Sequence, residues 1–501
     1  MTVRPPPVLY RPSIRAVAAG VCIAGSVPPW GWWPLAFVGF ALTDRLLAET
    51  PASRAGAWRR FRRMWLVAAA WLFPAMLWMF DLTPPGYIVA GILYSAYFGL
   101  AAALTPPQAP LRRIVLPGAI ALAEVARWYW PFGGVPLANI ALSQVDTPLI
   151  LPARVGGPLL VIMLVVVVGQ MLSALWTRES KPAAFGAIAV FATLVVAVLH
   201  PRAAVVRDID VAIVQGGGPV RTRASSFQEP VVLARHVEAT KALLDPVDFI
   251  LWPENVVNPG RYLSMESARE TVADVAAEYD APVLAGWFHP FDDRYNVNYQ
   301  TTMLPNGQEL DRYDKVRTVP FGEFVPFRSV IEATGMADLL PARDALPGTE
   351  PPILDTPVGP VGVSISWEAF FERRARDSVA NGAQILTNPT NGSSFWLTQV
   401  HTQQVASNQL RAVENDRWLL MAAPTGLSGV IDADGRLLQR TDIGERRVLT
   451  TTAEMRTGRT LASIVGPWPV VLYGIIAIVA AWIVQRRSSP NPKDQEAGSN
   501  G

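Results

Sequence analysis

Three short blocks hold the residues whose types suit covalent chemistry. Leu251-Trp-Pro-Glu254 supplies a carboxylate. Tyr313-Asp-Lys315, running into Pro320-Phe-Gly-Glu-Phe-Val-Pro326, supplies an amine and a second carboxylate, Glu323. Ile365-Ser-Trp-Glu368 supplies a hydroxyl, Ser366. A nucleophile that forms a covalent intermediate divides one difficult displacement into two easier ones. It needs a group that takes its proton and later returns one, and Glu254, dehydrated by its surroundings, suits that role. Lys315 offers a cation to negative charge that develops as the nucleophile attacks. Singly, each residue has a plainer explanation: a strand-end Glu is more often a surface or capping residue, and a lone Lys a solvated charge. Their fixed order along one chain is what favours chemistry. Ser364 lies two residues before Ser366, on the same face of a strand, and is expected to sit too deep to attack.

These side chains need elements to position them. Short apolar runs at 211–215, 249–252, 283–286, 361–365, 384–387 and 418–422 read as buried strands. Helical patterns at 231–244, 267–279 and 402–414 separate several of them. Strands alternating with helices predict α/β layers around a central sheet. Chemistry in such folds gathers at strand C-terminal ends. Glu254 follows one predicted strand and Ser366 ends another.

Long apolar stretches flank this segment. The 501 residues are 50% apolar and only 17% charged, against about 25% charged in soluble domains. Mean hydropathy is positive. The 17 tryptophans suit a membrane interface. A net charge of +2 gives no reason to expect a nucleic-acid partner. The single cysteine, Cys22, is read as a packing residue and excludes a disulfide within the chain. His200, His236, His289 and His401 show no ligand spacing, so no metal centre is expected.

Membrane spans are predicted near 14–28, 32–48, 64–80, 87–105, 112–130, 156–176, 183–200 and 464–485. The first two are short and compatible with a shallow hairpin. Arg4, Arg11 and Arg15 precede the first span, and Arg45, Arg54, Arg59, Arg60, Arg62 and Arg63 follow the second. Arg112 and Arg113 follow the fourth, Arg178 and Lys181 the sixth, Arg486 and Arg487 the last. Basic residues thus fill alternate loops, with Arg154 the exception on the other side. Positive charge stays inside, so both termini are expected in the cytoplasm and residues 205–460 on the outer face. The expected division is a membrane domain at 1–204 with about seven spans, an extracytoplasmic domain at 205–460, a last transmembrane helix at 461–487 and a disordered cytoplasmic tail at 488–501.

The three blocks resemble the Glu, Lys and Cys blocks of the carbon–nitrogen hydrolase (nitrilase) superfamily. Val-Gln215-Gly, Thr-Asn388-Pro-Thr-Asn391, Arg411-Ala-Val-Glu414-Asn-Asp-Arg417, Thr425-Gly and Gly466-Pro-Trp-Pro469 extend the likeness over nearly the whole chain. Flanking apolar stretches narrow it to the bacterial apolipoprotein N-acyltransferases. The resemblance implies an extracytoplasmic α/β domain, a nitrilase-like αββα sandwich, inserted in an all-α polytopic membrane domain of about eight helices. It implies that an acyl chain passes from a phospholipid to an enzyme nucleophile, then to the α-amino group of the S-diacylglyceryl-cysteine of an apolipoprotein. The expected partners are the phospholipid donor, diacylglyceryl apolipoproteins and the bilayer of the cytoplasmic membrane. No cofactor or metal is expected, and the chain is expected to be a monomer. Carried over residue by residue, Glu254, Lys315 and Ser366 are catalytic. Glu323 orients Lys315, Trp367 and Glu368 flank the nucleophile and shape the acyl entrance, and Asn388 belongs to the substrate surroundings. An apolar loop facing lipid would fit, built from Phe321, Phe324 and Phe327 or from Phe370 and Phe371.

Ser366 departs from the family, which has cysteine there. A thiol has a pKa of about 8.5 and attacks readily; a hydroxyl must lose its proton as it attacks, which a well-placed base achieves. The intermediate becomes an ester, and its second step is expected to be slower. Gly392-Ser-Ser394 replaces the usual Asp and aromatic, and Pro424 replaces Asn. Three readings stand together: a natural serine acyltransferase, a relative that has lost catalysis, and a laboratory Cys-to-Ser change. The functional alternatives are a catalytically inactive lipid- or lipoprotein-binding homologue and a membrane-anchored amidase. Glu124 and Arg127, at i and i+3 on one predicted span, form either a structural ion pair or part of a lipid entrance. Trp128-Tyr129-Trp130 reads as an interface belt.

Overall fold

The computed structural model describes residues 11–219, 229–333, 341–392 and 398–487. Arg4, Ser393, Ser394 and the tail from Ser488 lie outside the described residues. The N-terminal half is helical: α1 (Pro12–Ser26), α2 (Pro34–Ala48), α3 (Arg54–Ala75), the short α4 (Trp78–Leu82), α5 (Pro84–Leu104), α6 (Ala109–Tyr129), α7 (Ala153–Trp176) and α8 (Ser180–Leu199). Proline opens α1, α2 and α5, where its missing N–H costs nothing. The Ser53 hydroxyl caps α3 by accepting the Gly56 N–H at 3.1 Å. Among the described residues, α5, α7, α8 and the C-terminal helix are long and apolar enough to cross a membrane. Helices also stand at the other four predicted stretches. α1 and α2 have 15 residues each, about 22 Å of rise, which is short of a bilayer core of about 30 Å.

One buried ion pair joins two of these helices and another fixes the loop after α6. Arg112 meets Asp44 at 2.7 Å, and Ser173 donates to the same carboxylate at 2.7 Å. Glu124 and Arg127 are fully buried 2.5 Å apart. Arg127 also donates to the Val135 and Leu137 carbonyls, each at 2.6 Å, so this pair pins the loop after α6. Trp128 is buried and donates to Glu124 at 3.0 Å. It is therefore a partner of that carboxylate, whereas Tyr129 and Trp130 are exposed.

The second half is a sandwich of two sheets. Its elements are β1 (Ala204–Gln215), α9 (Glu229–Thr240), β2 (Phe249–Leu251), α10 (Met265–Glu278), β3 (Val283–Pro290), β4 (Tyr295–Met303), β5 (Glu309–Asp314), α11 (Arg328–Ala333), β6 (Asp344–Ala345), β7 (Ile353–Leu354) and β8 (Val361–Val363). They continue with α12 (Glu372–Ala380), β9 (Ile385–Pro389), α13 (Thr398–Asn415), β10 (Leu419–Ala422), β11 (Gly429–Ile431), β12 (Leu437–Arg440), β13 (Arg447–Thr457), α14 (Leu461–Val465) and α15 (Trp468–Arg487). One sheet runs β13-β1-β2-β3-β4-β5, with β6 paired to β4; the other runs β12-β11-β10-β9-β8-β7. Val211, Ile213, Leu251 and Leu284 of the first sheet pack against Val361, Ile385, Leu420 and Val430 of the second. α9 and α10 cover the outer face of the first sheet, and α12 and α13 that of the second. The layers are α, β, β, α. The polar strands β4 and β5, the three-residue interior strand β11 and the edge strands β12 and β13 carry no apolar run long enough to mark them in the sequence.

Helix α13 joins the halves. Gln399 donates to the Pro74 carbonyl at 2.6 Å and accepts the Trp78 N–H at 3.1 Å. Gln403 donates to the Ala75 carbonyl at 2.9 Å and accepts the Ala138 N–H at 2.9 Å. The break between α3 and α4 frees the Pro74, Ala75 and Trp78 groups, the loop after α6 frees the Ala138 N–H, and buried backbone groups must find partners.

Candidate active site

Each chemical side chain sits just past the end of a strand. Glu254 follows β2, Lys315 follows β5, Ser366 follows β8, and Thr390 and Asn391 follow β9. β2 and β5 belong to one sheet and β8 and β9 to the other, so the site lies between the sheets at their common end. Gly286 of β3 passes directly under Glu254: a Cβ there would lie 2.7 Å from Glu254 Cα.

Glu254 is 2% exposed and accepts three hydrogen bonds. Its Oε1 takes the Asn298 amide at 2.7 Å and Lys315 Nζ at 2.9 Å. Its Oε2 takes the Asn391 backbone N–H at 2.7 Å. A carboxylate offers about four lone-pair sites, so one remains for a further proton donor. Lys315 is buried between two carboxylates, with Glu323 Oε1 at 2.6 Å. Burial alone would lower its pKa, but Glu254 and Glu323 outweigh it, and the ammonium is held above the ordinary lysine value. Glu323 Oε2 accepts the Val319 N–H at 2.8 Å, which closes the 319–323 turn around the amine.

Ser366 opens a 3-10 turn, Ser366–Phe370, with φ at +50°. A left-handed backbone at a serine is strained and persists only where its surroundings enforce it. Glu368 supplies that enforcement. Fully buried, it accepts the Ile365 N–H at 2.9 Å, the Val316 and Arg317 N–H groups at 3.0 Å each, and the Tyr313 hydroxyl at 2.9 Å. It thereby locks the serine turn to the segment after β5. This differs from an entrance-shaping role, because all its lone pairs face protein donors. Asn388 and Gln404 hold the Ser366 carbonyl at 3.4 and 3.1 Å. Ser364 is buried, and its N–H pairs with the Thr387 carbonyl at 2.9 Å.

Thr390 closes the circuit. Its hydroxyl donates to Ser366 Oγ at 3.1 Å, while Gln404 Nε2 donates to Thr390 at 3.0 Å. The next residue, Asn391, holds Glu254. One peptide unit therefore links the hydroxyl to the carboxylate–ammonium pair. Asn298, Thr390 and Gln404 had no assigned role from sequence. Only Thr390 lay inside a recognised motif, and its type alone gives no sign of its contact.

An apolar cavity of about 520 Å³ lies alongside, lined by Trp78, Leu82, Val89, Phe132, Phe321 and Trp367 among others. Trp367 packs edge-on against Trp78 with ring centroids 5.9 Å apart. Phe327 is exposed and meets Phe132 at 5.6 Å. Phe370 and Phe371 are buried, so of the two loops considered, the one carrying Phe321 and Phe327 borders the cavity and solvent.

Residues 210–462 match the family described as carbon-nitrogen hydrolase, and residues 19–171 match the apolipoprotein N-acyltransferase N-terminal domain. A protein of Mycolicibacterium smegmatis named apolipoprotein N-acyltransferase is 31% identical, over 96% of this chain and 86% of the relative. One of the same name from Methylococcus capsulatus is 27% identical, over 97% and 99%. Among solved structures, Nit3 of Saccharomyces cerevisiae, a nitrilase-superfamily member, has 18% identity and a TM-score of 0.37, over 50% of this chain and 91% of that one. By family match over both halves and by identity to full-length relatives, the chain belongs to the apolipoprotein N-acyltransferase family.

Proposed function

We propose that this protein moves an acyl chain from a membrane phospholipid to the α-amino group of the S-diacylglyceryl-cysteine at the start of an apolipoprotein, through an ester on Ser366. In the first half-reaction Glu254 takes the Ser366 proton as Oγ bonds to the phospholipid ester carbon. The oxyanion forms toward Lys315. Collapse breaks the bond to the glycerol oxygen, which leaves with the proton from Glu254 as a lyso-phospholipid. In the second half-reaction the cysteine amine attacks the serine ester, gives its proton to Glu254, and Ser366 departs with it. The donor ester is itself activated, so neither step calls for a cofactor.

The observation that carries this reading is the hydrogen-bonded run Ser366–Thr390, Asn391–Glu254–Lys315 beside an apolar cavity. It favours a working serine over lost catalysis. A buried lysine between a buried and a half-buried carboxylate costs desolvation, and the strained serine turn costs about 1–3 kcal/mol. A protein that only bound lipid would gain nothing from either. The apolar cavity, walled partly by α4 and α5, suits an acyl chain better than the small amide of an amidase.

The membrane arrangement belongs to the same proposal. Eight helices cross or dip into the cytoplasmic membrane, both termini face the cytoplasm, and residues 205–460 lie on the outer side as a separate unit of a monomer. The alternating basic loops support this. The test is complementation in a host depleted of its own N-acyltransferase, with lipoprotein N-termini read by mass spectrometry. Triacylated product is expected from the unaltered chain and none from Ser366→Ala. Diacylated product from the unaltered chain would rule the proposal out.

A further inference from the structure

We propose that a second cavity, between the start of α7, the end of α8 and the β11–β12 hairpin, binds the headgroup of a zwitterionic phospholipid. It measures about 610 Å³ and shares no lining residue with the acyl cavity. Its walls carry Asp146, Arg154, Arg202, Asp434 and Arg436, with Val198 at one side. α8 ends at Leu199, so the cavity sits where that helix meets the sandwich, at the level of lipid headgroups. Val195, Val196, Val198 and Leu199 of α8 are exposed and offer an apolar surface to the tails. This placement rests on the reading that α8 lies in the bilayer.

The charges favour a zwitterion. Arg202 is held by Asp416 and Asp434, each at 2.8 Å, and Arg154 shares Asp434 at 3.0 Å. Two charges are left over. Arg436 is 75% exposed, and its nearest carboxylate, Asp432, is 4.0 Å away. Asp146 takes one hydrogen bond from the neutral Gln409 amide at 3.2 Å, and no ion pair is made to it among the described residues. A loose cation and a loose carboxylate lining one cavity match a phosphate and an ammonium. Arg154 adds a buried Nε–H with no hydrogen-bond partner. Buried donors are rarely left unpaired, and a phosphate oxygen would satisfy it.

The test uses the full chain in the Ser366→Ala background, so that no lipid is consumed, in mild detergent under native mass spectrometry. Phosphatidylethanolamine, phosphatidylglycerol and inorganic phosphate are titrated separately. Two phosphatidylethanolamine molecules are expected to bind. Arg436→Glu should weaken the second about tenfold, the scale of one charge-assisted hydrogen bond, and leave the first. Asp146→Asn should narrow the preference for phosphatidylethanolamine over phosphatidylglycerol. With Ser366 restored, Arg436→Glu should leave N-acylation unchanged, which separates this site from the acyl-transfer reading. Equal second binding in the parent and in Arg436→Glu would overturn the proposal. So would full displacement of the second lipid by inorganic phosphate, which would make the cavity a site for free anions.

Discussion

A serine does the work of a thiol only if its proton has somewhere to go and its oxygen is steadied as charge grows. Glu254 keeps one lone-pair site free for the proton, and Thr390 donates to the oxygen at 3.1 Å. Thr390→Val keeps the side-chain shape and removes that donor. We expect kcat to fall about 10- to 100-fold, the scale of a hydrogen bond to a developing charge, with KM and Tm nearly unchanged. Thr390→Ser should restore most of the rate. An unaltered kcat in Thr390→Val would show that the contact only fills space. Lys315→Met should abolish transfer and also destabilise the fold, because it leaves Glu254 and Glu323 facing each other without the cation. The charged members were legible because acid, amine and hydroxyl appear in order within recognisable blocks. Asn298, Thr390 and Gln404 were not. Amides and hydroxyls are common everywhere, and their contacts depend on strands and helices far apart in sequence.

At the scale of elements, α13 carries more than its apolar pattern suggested. It caps the break after α3, holds Asn388 through Asn408 at 2.9 Å, and supports the serine turn through Gln404 and Ser407. Its last turn also carries a buried carboxylate. Burial, with Glu372 adding repulsion against the pull of Arg411, lifts Glu414 to a pKa of about 7. Burial likewise raises Glu372. The folded state binds these protons more tightly than the unfolded chain, whose glutamates titrate near pH 4.3. The Glu414 contribution is therefore full in acid and lost as pH rises from the unfolded value through about 7. Tm should fall between about pH 4 and pH 7, and Glu414→Gln should flatten that slope. A slope unchanged by the substitution would point to other groups. The first-sheet strands β1 to β3 were readable as apolar runs. β4 was not: its buried Asn298, Gln300 and Thr301 are polar and stay inside by hydrogen-bonding, as Gln300 does to the Trp252 and Leu284 carbonyls at 3.1 and 2.9 Å. Polarity hides a central strand whenever its partners are backbone groups.

At the scale of the whole molecule, the helical half supplies one wall of the apolar cavity beside the site. Trp78 and Val89 line the cavity from the helical side, while Phe321 and Trp367 line it from the sandwich. Trp367→Ala should enlarge the cavity and shift the preferred acyl length upward, as read from the lipoprotein products; an unchanged chain distribution would place the acyl chain elsewhere. Sidedness is checked in a Cys22→Ser background, which is free of cysteine. Leu244→Cys, 90% exposed on the sandwich, should react with an impermeant maleimide on intact cells. Trp58→Cys, exposed among the arginines of α3, should react only after lysis; the opposite pattern would invert the topology.

The most direct measurement is capture of the acyl-enzyme. The full chain is incubated with phospholipid and no acceptor, digested, and the peptide spanning 344–373 is weighed. An added acyl mass on Ser366, removed by alkaline hydroxylamine and absent from Ser366→Ala, is the expected result. Acyl transfer that proceeds while the label sits on Ser364 or Thr390, or that survives Ser366→Ala, would contradict it.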